Sequence, residues 1–435
     1  MMWGGSSVGR ASRSQCEGRG FDPLPLHQFL LLLTLALGAF APAAAADSLL
    51  SAIQQRGVLR VGTTGDYPPY TLTDADRFLL GADIAQARQI AISLGLRAEF
   101  VPTTWASLLE DARAGKFDIA VGGISITPER EAVVAFTRPY LKDSKQPVVR
   151  CGEQLKYDTR AEIDSPHVRL IVNRGGTNEA FSRRQFPHAA LTVHADNRTV
   201  FDEIAARRAD VMVTDGVEAR LQQARGQGLC AVKAKRWARA GKAILVQKDD
   251  ALRKAIEASL SAMGGERGYT RRLAPWIEDF AHPATPAATR LASLIDERLA
   301  LVMEVARYKW NTGAAIEDPP REQALLASLR ERAVSLGIPQ STVDAFFLAQ
   351  IDAAKQLQRE LFEHWKRERR EKFPGIADLA TSIRPGIDAV TNQMLQALAA
   401  VPAAQAVRLP AASTISGISA GAVHTARAPL LQTGT

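Results

Sequence analysis

The stretch "VRLIVNRGGTNEAF", residues 168–181, decides how the first half of this chain is read. The apolar run at 168–172 reads as a strand, Gly175 and Gly176 as a tight turn, and Thr177 onward as the first turn of a helix. Backbone N–H groups at such a helix start, with the helix dipole behind them, favour negative charge. Glu179 in that turn is therefore either a helix cap or a proton donor that faces an anionic ligand.

The same strand-to-helix alternation recurs on both sides. "VLRVGTT" (58–64), "AEFVPT" (98–103), "FDIAVGG" (117–123) and "DVMVTDG" (210–216) read as strands, while "GADIAQARQIAISLG" (81–95) and "WASLLEDARAG" (105–115) carry apolar residues at helical spacing. From Leu50 to about Phe280 this predicts an α/β fold with largely parallel sheets. Two chain crossings, "RPYLKDSKQPVV" (138–149) and "ARAGKAILVQKDD" (238–250), divide it. Lobe one is then 50–143 plus 245–280 and lobe two 144–244, a two-lobed clamshell with a ligand site in the cleft.

After Phe280 the character changes. "AHPATPAAT" (281–289) is a Pro/Ala-rich linker, and from 290 to 400 no strand pattern survives. "STVDAFFLAQIDAAKQLQRELFEHWKRERRE" predicts one helix of about thirty residues, roughly 45 Å long at 1.5 Å per residue. The low-complexity segment 401–435 is expected to be disordered. The fold class is thus multidomain, an α/β clamshell at 47–280 followed by an all-α domain at 290–400.

The 435 residues suffice for two or three domains, and basic residues exceed acidic ones by 54 − 46 = 8. That balance suits anionic small molecules or simply a basic surface. The densest run, "KRERREK" at 366–372, lies in a helical setting and reads as a solvated face, not a nucleic-acid site. "FLLLLTLALGAF" (29–40) followed by "APAAAAD" reads as a signal peptide with cleavage after Ala46. The run is short for a membrane span, so an exported chain free of the membrane is expected. Residues 1–28 resemble the translation of a tRNA gene, which points to a later start. Beyond residue 46 two cysteines remain, Cys151 and Cys230. In an oxidising compartment they suggest one disulfide, with two separate buried thiols as the alternative. No spacing suits a metal site.

The combination "TTGDYPPY … PTTWASLL … GGISITPER … NRGGTNEAF … HADNRTVFDEI … TDGVEARL" resembles periplasmic cyclohexadienyl dehydratases, which share the fold of periplasmic amino-acid-binding proteins. The resemblance covers about 50–280. It implies conversion of prephenate or arogenate to phenylpyruvate or phenylalanine with no metal or organic cofactor. It makes Glu179 the general acid. It places Asp66, Tyr67, Trp105, Ser125, Arg130, Thr177, Asn178 and Asp215 at the ligand. Physically, Arg130 offers a planar fork for a carboxylate, or is a surface arginine. Trp105 is a ligand wall or core. A helix N-terminus and Arg130 lower the pKa of Glu179, whereas closure over a dianion raises it.

In the helical half, "ERLALVMEVARYKW … IEDPPREQALL … AFFLAQIDAAKQLQRELFEHWK" resembles the secreted, all-helical chorismate mutases. Arg298 and Lys309 lie eleven residues apart, on one helix face, which alone describes a solvated stripe equally well. The resemblance implies that Arg298, Arg321 and Arg384 hold carboxylates. Lys309 and Gln358 then bond the ether oxygen of chorismate, and Glu322 and Asp318 meet the ring hydroxyl. It allows a homodimer with each site inside one chain. Together the two resemblances imply that one chain makes prephenate and consumes it, with chorismate, prephenate and arogenate as ligands and no nucleic acid. The rival readings are an amino-acid-binding protein without chemistry and a helical interaction module.

Overall fold

The structure, a computed structural model, describes residues 48–74, 77–232, 237–283, 285–373, 375–401 and 420–431. The expectations for the signal peptide and for residues 1–46 lie outside these residues. Lobe one contributes β1 (Val58–Thr63), β2 (Arg97–Pro102), β3 (Ile119–Ala120) and β4 (Ala135–Phe136). The chain crosses on β5 (Leu141–Arg150) into lobe two, which adds β6 (Arg169–Asn173), β7 (Ala190–His194), β8 (Val211–Asp215) and β9 (Leu229–Ala231). It returns on β10 (Trp237–Lys242) and joins lobe one again as β11 (Leu245–Val246).

The first sheet has the order β2-β1-β3-β11-β4, the second β7-β6-β8-β5-β9, with β10 paired to β5. Strands β1, β2 and β3 are mutually parallel neighbours, as are β6, β7 and β8, whereas β11 and β4 in the first sheet and β5, β9 and β10 in the second add antiparallel pairs. The expectation of largely parallel sheets is corrected to mixed ones. A chain that crosses between lobes and comes back must run its return strand against the outgoing one. The two crossing strands, β5 and β10, pair with each other from Leu141↔Lys242 to Lys145↔Trp237 and form the hinge. Cys151 and Cys230 are joined in a disulfide.

Helices α1 (Ala82–Ser93), α2 (Thr177–Gln185), α3 (Gly216–Ala224), α4 (Asp250–Ala262) and α5 (Gly265–Ala281) cover the sheets. On α1 the residues Ile84, Ala87, Ile90 and Ala91 follow helical spacing and are buried in the core of lobe one. At its start Asp83 is fully buried and accepts hydrogen bonds from the N–H groups of Gly122 (2.9 Å) and Gly123 (2.7 Å) and from the Tyr140 hydroxyl (2.6 Å). Gly123 has φ +67°, and a Cβ there would lie 2.6 Å from the Tyr70 ring. The turn that precedes Ser125 and Arg130 therefore requires glycine.

The helical domain consists of α6 (Pro286–Thr312), α7 (Pro319–Ser335), α8 (Gln340–Arg367), a π-helical turn at Leu379–Ile383, α9 (Arg384–Ala399) and α10 (Ala420–Leu431). Leu294, Leu299, Leu329, Phe346, Leu357 and Met394 form one buried core across the bundle. Two sequence expectations need correction here. The linker is shorter than 281–289, because α5 runs to Ala281 and α6 starts at Pro286, with the Thr285 side chain accepting from the Ala288 N–H. Proline at the first helical position starts a helix as readily as it breaks one. The tail 401–435 is not wholly disordered. Within it Ala422, Val423, Ala426 and Leu430 fall on one buried face of α10, and Arg427 makes a buried 2.9 Å ion pair with Asp296. Composition hid the helical period of those small residues.

The helical domain is fastened to lobe one. Arg88 on α1 pairs with Glu297 on α6 at 3.2 Å, and Arg290 pairs with Asp74 at 2.7 Å. Both arginines lie over the Phe78 ring, with centroid distances of 5.2 and 5.0 Å. Phe78 and Asp74 belong to the ribbon of short strands, Asp66–Tyr67, Thr71–Thr73 and Leu79–Leu80, that carries Tyr67 into the cleft.

Candidate active sites

The interlobe cavity is lined by Tyr67, Trp105, Gly123, Ser125, Arg130, Asn173, Gly176, Thr177, Asn178, Asp215 and Lys242. The lobes are closed on each other. The Tyr67 hydroxyl donates to Asp215 at 2.6 Å, the Asn197 amide donates to the Asp66 carbonyl at 2.9 Å, and a Cβ on Gly175 (φ +70°) would lie 3.0 Å from the Ala106 nitrogen. Arg130 follows the Thr127 cap of a short helix and is buried, its guanidinium donating to the Ser125 carbonyl at 2.7 Å. The Trp105 indole donates to Asp66 at 3.1 Å. Asp66 is not a wall residue; its carboxyl is raised by burial.

Asp215 is the centre of charge. One oxygen accepts from Lys145 at 2.9 Å, and the other from Tyr67 and Lys242. Burial would raise its pKa, but the two ammonium groups outweigh that and hold it well below the ordinary carboxyl value. Lys145 also bonds the Thr177 hydroxyl at 3.0 Å and the Asn178 carbonyl oxygen, and Lys242 bonds the Ser125 hydroxyl at 2.9 Å. Behind them the Asn178 amide donates to Thr214 at 3.1 Å, and Thr214 donates to Glu218. Burial pushes Glu218 up to about 8. Neither lysine was singled out in the sequence. Both stand on the crossing strands, where alternation alone does not say which of Lys142 and Lys145 points inward.

Glu179 is where the sequence expectation and the structure part. Its carboxylate does not line the cavity; it accepts from the Gly175 N–H at 2.7 Å and pairs with Arg183 at 2.8 Å. Burial raises its pKa, but the Gly175 amide and Arg183 bring the net value below the ordinary one. The carboxylate folds back onto the glycine turn ahead of the helix, where it holds Gly175 one residue before the N-cap Gly176.

The second cavity lies inside the helical bundle of a single chain. Its wall contains every residue expected there: Arg298, Lys309, Asp318, Arg321, Glu322, Gln358 and Arg384. Lys355 and Asp388, which the sequence reading did not name, complete it. Arg298 is buried, donates to the Gln350 carbonyl at 3.0 Å and is drawn down to about 10 by desolvation. Lys309 bonds the Ile316 carbonyl at 2.8 Å and is lowered chiefly by burial. Arg321 pairs with Asp388 (3.1 Å), Arg384 with Asp318 (3.4 Å) and Lys355 with Glu322 (3.2 Å). Gln358 donates to the Ala354 carbonyl at 3.0 Å, and its own carbonyl oxygen is buried with no partner among the described residues. Among the described residues the wall carries five cations (Arg298, Lys309, Arg321, Lys355, Arg384) and three carboxylates (Asp318, Glu322, Asp388), an excess of 5 − 3 = 2 positive charges. Among the described residues no cluster of three or more His, Cys, Asp or Glu could hold a metal ion.

Residues 59–279 match the bacterial extracellular solute-binding proteins, family 3. The chain belongs to that family. A second match, chorismate mutase type II, spans 289–359, so this solute-binding protein is fused to a mutase-type domain. Among its relatives is the cyclohexadienyl dehydratase of Pseudomonas aeruginosa, 40% identical over 253 residues, which are 58% of this chain and 94% of that protein. The L-cystine-binding protein of Escherichia coli is 25% identical over 236 residues, 54% of this chain and 88% of that one. An amino-acid transporter substrate-binding protein from Streptococcus pneumoniae, solved with L-arginine, has the same fold at 19% identity. Its TM-score is 0.50, and the match covers 53% of this chain and 99% of that one. The family is an extracellular one, and among the described residues no helix is long and apolar enough to cross a membrane.

Proposed function

We propose that this protein is an exported bifunctional enzyme: the helical domain converts chorismate to prephenate, and the clamshell converts prephenate, or its amino-acid counterpart arogenate, to phenylpyruvate or phenylalanine. The observation that carries the mutase half is the surplus of two positive charges in a pocket completed within one chain. Chorismate is a dianion, and its rearrangement passes through no covalent intermediate, so positioning and charge stabilisation supply the rate. Arg298, Arg321 and Arg384 hold the two carboxylates. Lys309 and the Gln358 amide face the ether oxygen as its bond breaks. Glutamine stays neutral at every pH, so this contact needs no protonated acid. A second subunit is not required to build the site.

In the clamshell, Arg130 and the Lys145–Lys242 pair supply the anion-holding charge. The ring carboxylate leaves as CO₂; its bonding electrons enter the ring; the ring hydroxyl takes a proton and leaves as water. One positioned acid contributes roughly 10²- to 10⁴-fold to such a step. Glu179 is the candidate. It stands one residue beyond Asn178 in a turn whose Gly176, Thr177 and Asn178 form cavity wall. It acts after its carboxyl leaves Gly175 and Arg183 and turns inward, where the dianion and loss of water raise its pKa. The 40% identity to a cyclohexadienyl dehydratase supports this reading. The apolar run at 29–40 fits export to the periplasm with cleavage near Ala46.

The test is an assay that starts from chorismate and quantifies prephenate and phenylpyruvate together. Wild type is expected to form phenylpyruvate. Lys309→Met should cut chorismate consumption by about a hundredfold or more while leaving turnover of supplied prephenate unchanged. Glu179→Gln should let prephenate accumulate with its affinity retained and its turnover lowered about a hundredfold. Near-normal dehydration in that variant would remove Glu179 from the reaction, and no product from either supplied substrate would remove the function itself.

A further inference from the structure

Among the described residues the interlobe cavity has one carboxylate in its wall, Asp215, and the chain itself has engaged both of its oxygens. Lys145 occupies one oxygen; Lys242 and the Tyr67 hydroxyl occupy the other. Other side-chain acceptors of the wall are engaged as well. Ser125 takes Lys242, Thr177 and the Asn178 carbonyl oxygen take Lys145, and Asn173 takes the Asn178 amide at 3.2 Å. The carboxylates nearby are committed elsewhere: Asp143 to the N–H groups of Gly216 and Val217, both at 3.1 Å, and Asp66 to the Trp105 indole. Arg130 adds a further buried cation to the wall. A ligand ammonium arriving here would find two resident ammonium groups where its counter-ion should be, and like charges brought together without water cost several kcal/mol.

We infer that the cleft selects for a ring acid without an amino group: prephenate is its substrate, and arogenate and free α-amino acids are rejected. This rests on the dehydratase reading above and sharpens it. The Lys145–Asp215–Lys242 cluster is the specificity device. It presents cations to a carboxylate or keto oxygen and withholds the acceptor that an amino acid needs. It also separates this cleft from a transport receptor for amino acids, although the fold is the same.

The experiment compares kcat/KM for prephenate and arogenate with the full chain, alongside calorimetric titration of prephenate, arogenate, arginine and phenylalanine. Expected are a preference of about a hundredfold for prephenate and no binding of the free amino acids. Lys242→Met removes one of the two ammonium groups from Asp215, leaves that oxygen only the Tyr67 hydroxyl, and should shift the prephenate-to-arogenate ratio toward arogenate by about tenfold or more. A wild-type ratio within about threefold, or tight binding of either amino acid, overturns the inference, and the wild-type result decides it even where the variant does not fold. Binding of prephenate without turnover would strike the dehydratase reading and leave the selectivity standing.

Discussion

At the scale of single residues, buried carboxylates do different work according to what faces them. Asp215 is held ionised by two lysines that bond it directly, whereas Glu218, one helical turn further on, accepts from the Thr214 hydroxyl and is pushed up to about 8 by burial. The folded state therefore keeps a proton on Glu218 that the unfolded chain releases near 4.5. The folded state binds more protons across that window, so this contribution to stability is complete below pH 4.5 and is lost as pH rises toward 8. Glu304, raised to about 7 by burial, adds to the same slope. Glu218→Gln should match wild type in calorimetric melting at pH 5 and exceed it at pH 8.5, by on the order of 2–4 kcal/mol. Equal melting at both pH values would contradict it. Motif resemblance made the lining residues Arg130, Thr177 and Asn178 legible. It gave no view of Lys145 and Lys242, whose inward direction depends on the register of two paired strands, or of the rotamer that ties Glu179 to Gly175.

At the scale of elements, α10 is the one that composition concealed. Its Ala426 carbonyl accepts from the Gln350 side chain at 2.6 Å, and the Gln350 backbone carbonyl accepts from Arg298. The helix thus braces the stretch of α8 that fixes an arginine of the mutase pocket. Removing residues 402–435 exposes the buried face of α8 and breaks the Arg427–Asp296 pair. The truncated chain is expected to show a KM for chorismate raised about tenfold and a lower unfolding midpoint, while kcat/KM for supplied prephenate stays within about twofold. An unchanged KM would show that α10 does not position Arg298. The long helix α8 was visible from its period alone, because twenty-eight residues of one spacing leave little ambiguity. The start of α6 was not, because Pro286 reads equally as a linker or as a first helical residue.

At the scale of the whole molecule, the mutase domain and lobe one share a joint made by Arg88–Glu297, Arg290–Asp74 and the Phe78 ring. Lobe two joins lobe one through the paired crossing strands and through Arg225, whose guanidinium donates to the Phe280 carbonyl at 3.3 Å. Arg290→Ala with Glu297→Ala removes both ion pairs across the joint. Calorimetry is expected to show one main transition for lobe one and the mutase in wild type, split into two in the double variant; identical traces would mean that the joint carries no coupling. The sequence by itself determined the two-part architecture and named charged residues that the helical cavity brings together, because strand and helix periods and motif residues are read directly along the chain. Only the tertiary structure decided that two hinge lysines neutralise Asp215, that Glu179 rests on the Gly175 turn and that residues 420–431 return as a helix. Each of those depends on which distant groups meet, and a local pattern does not record that.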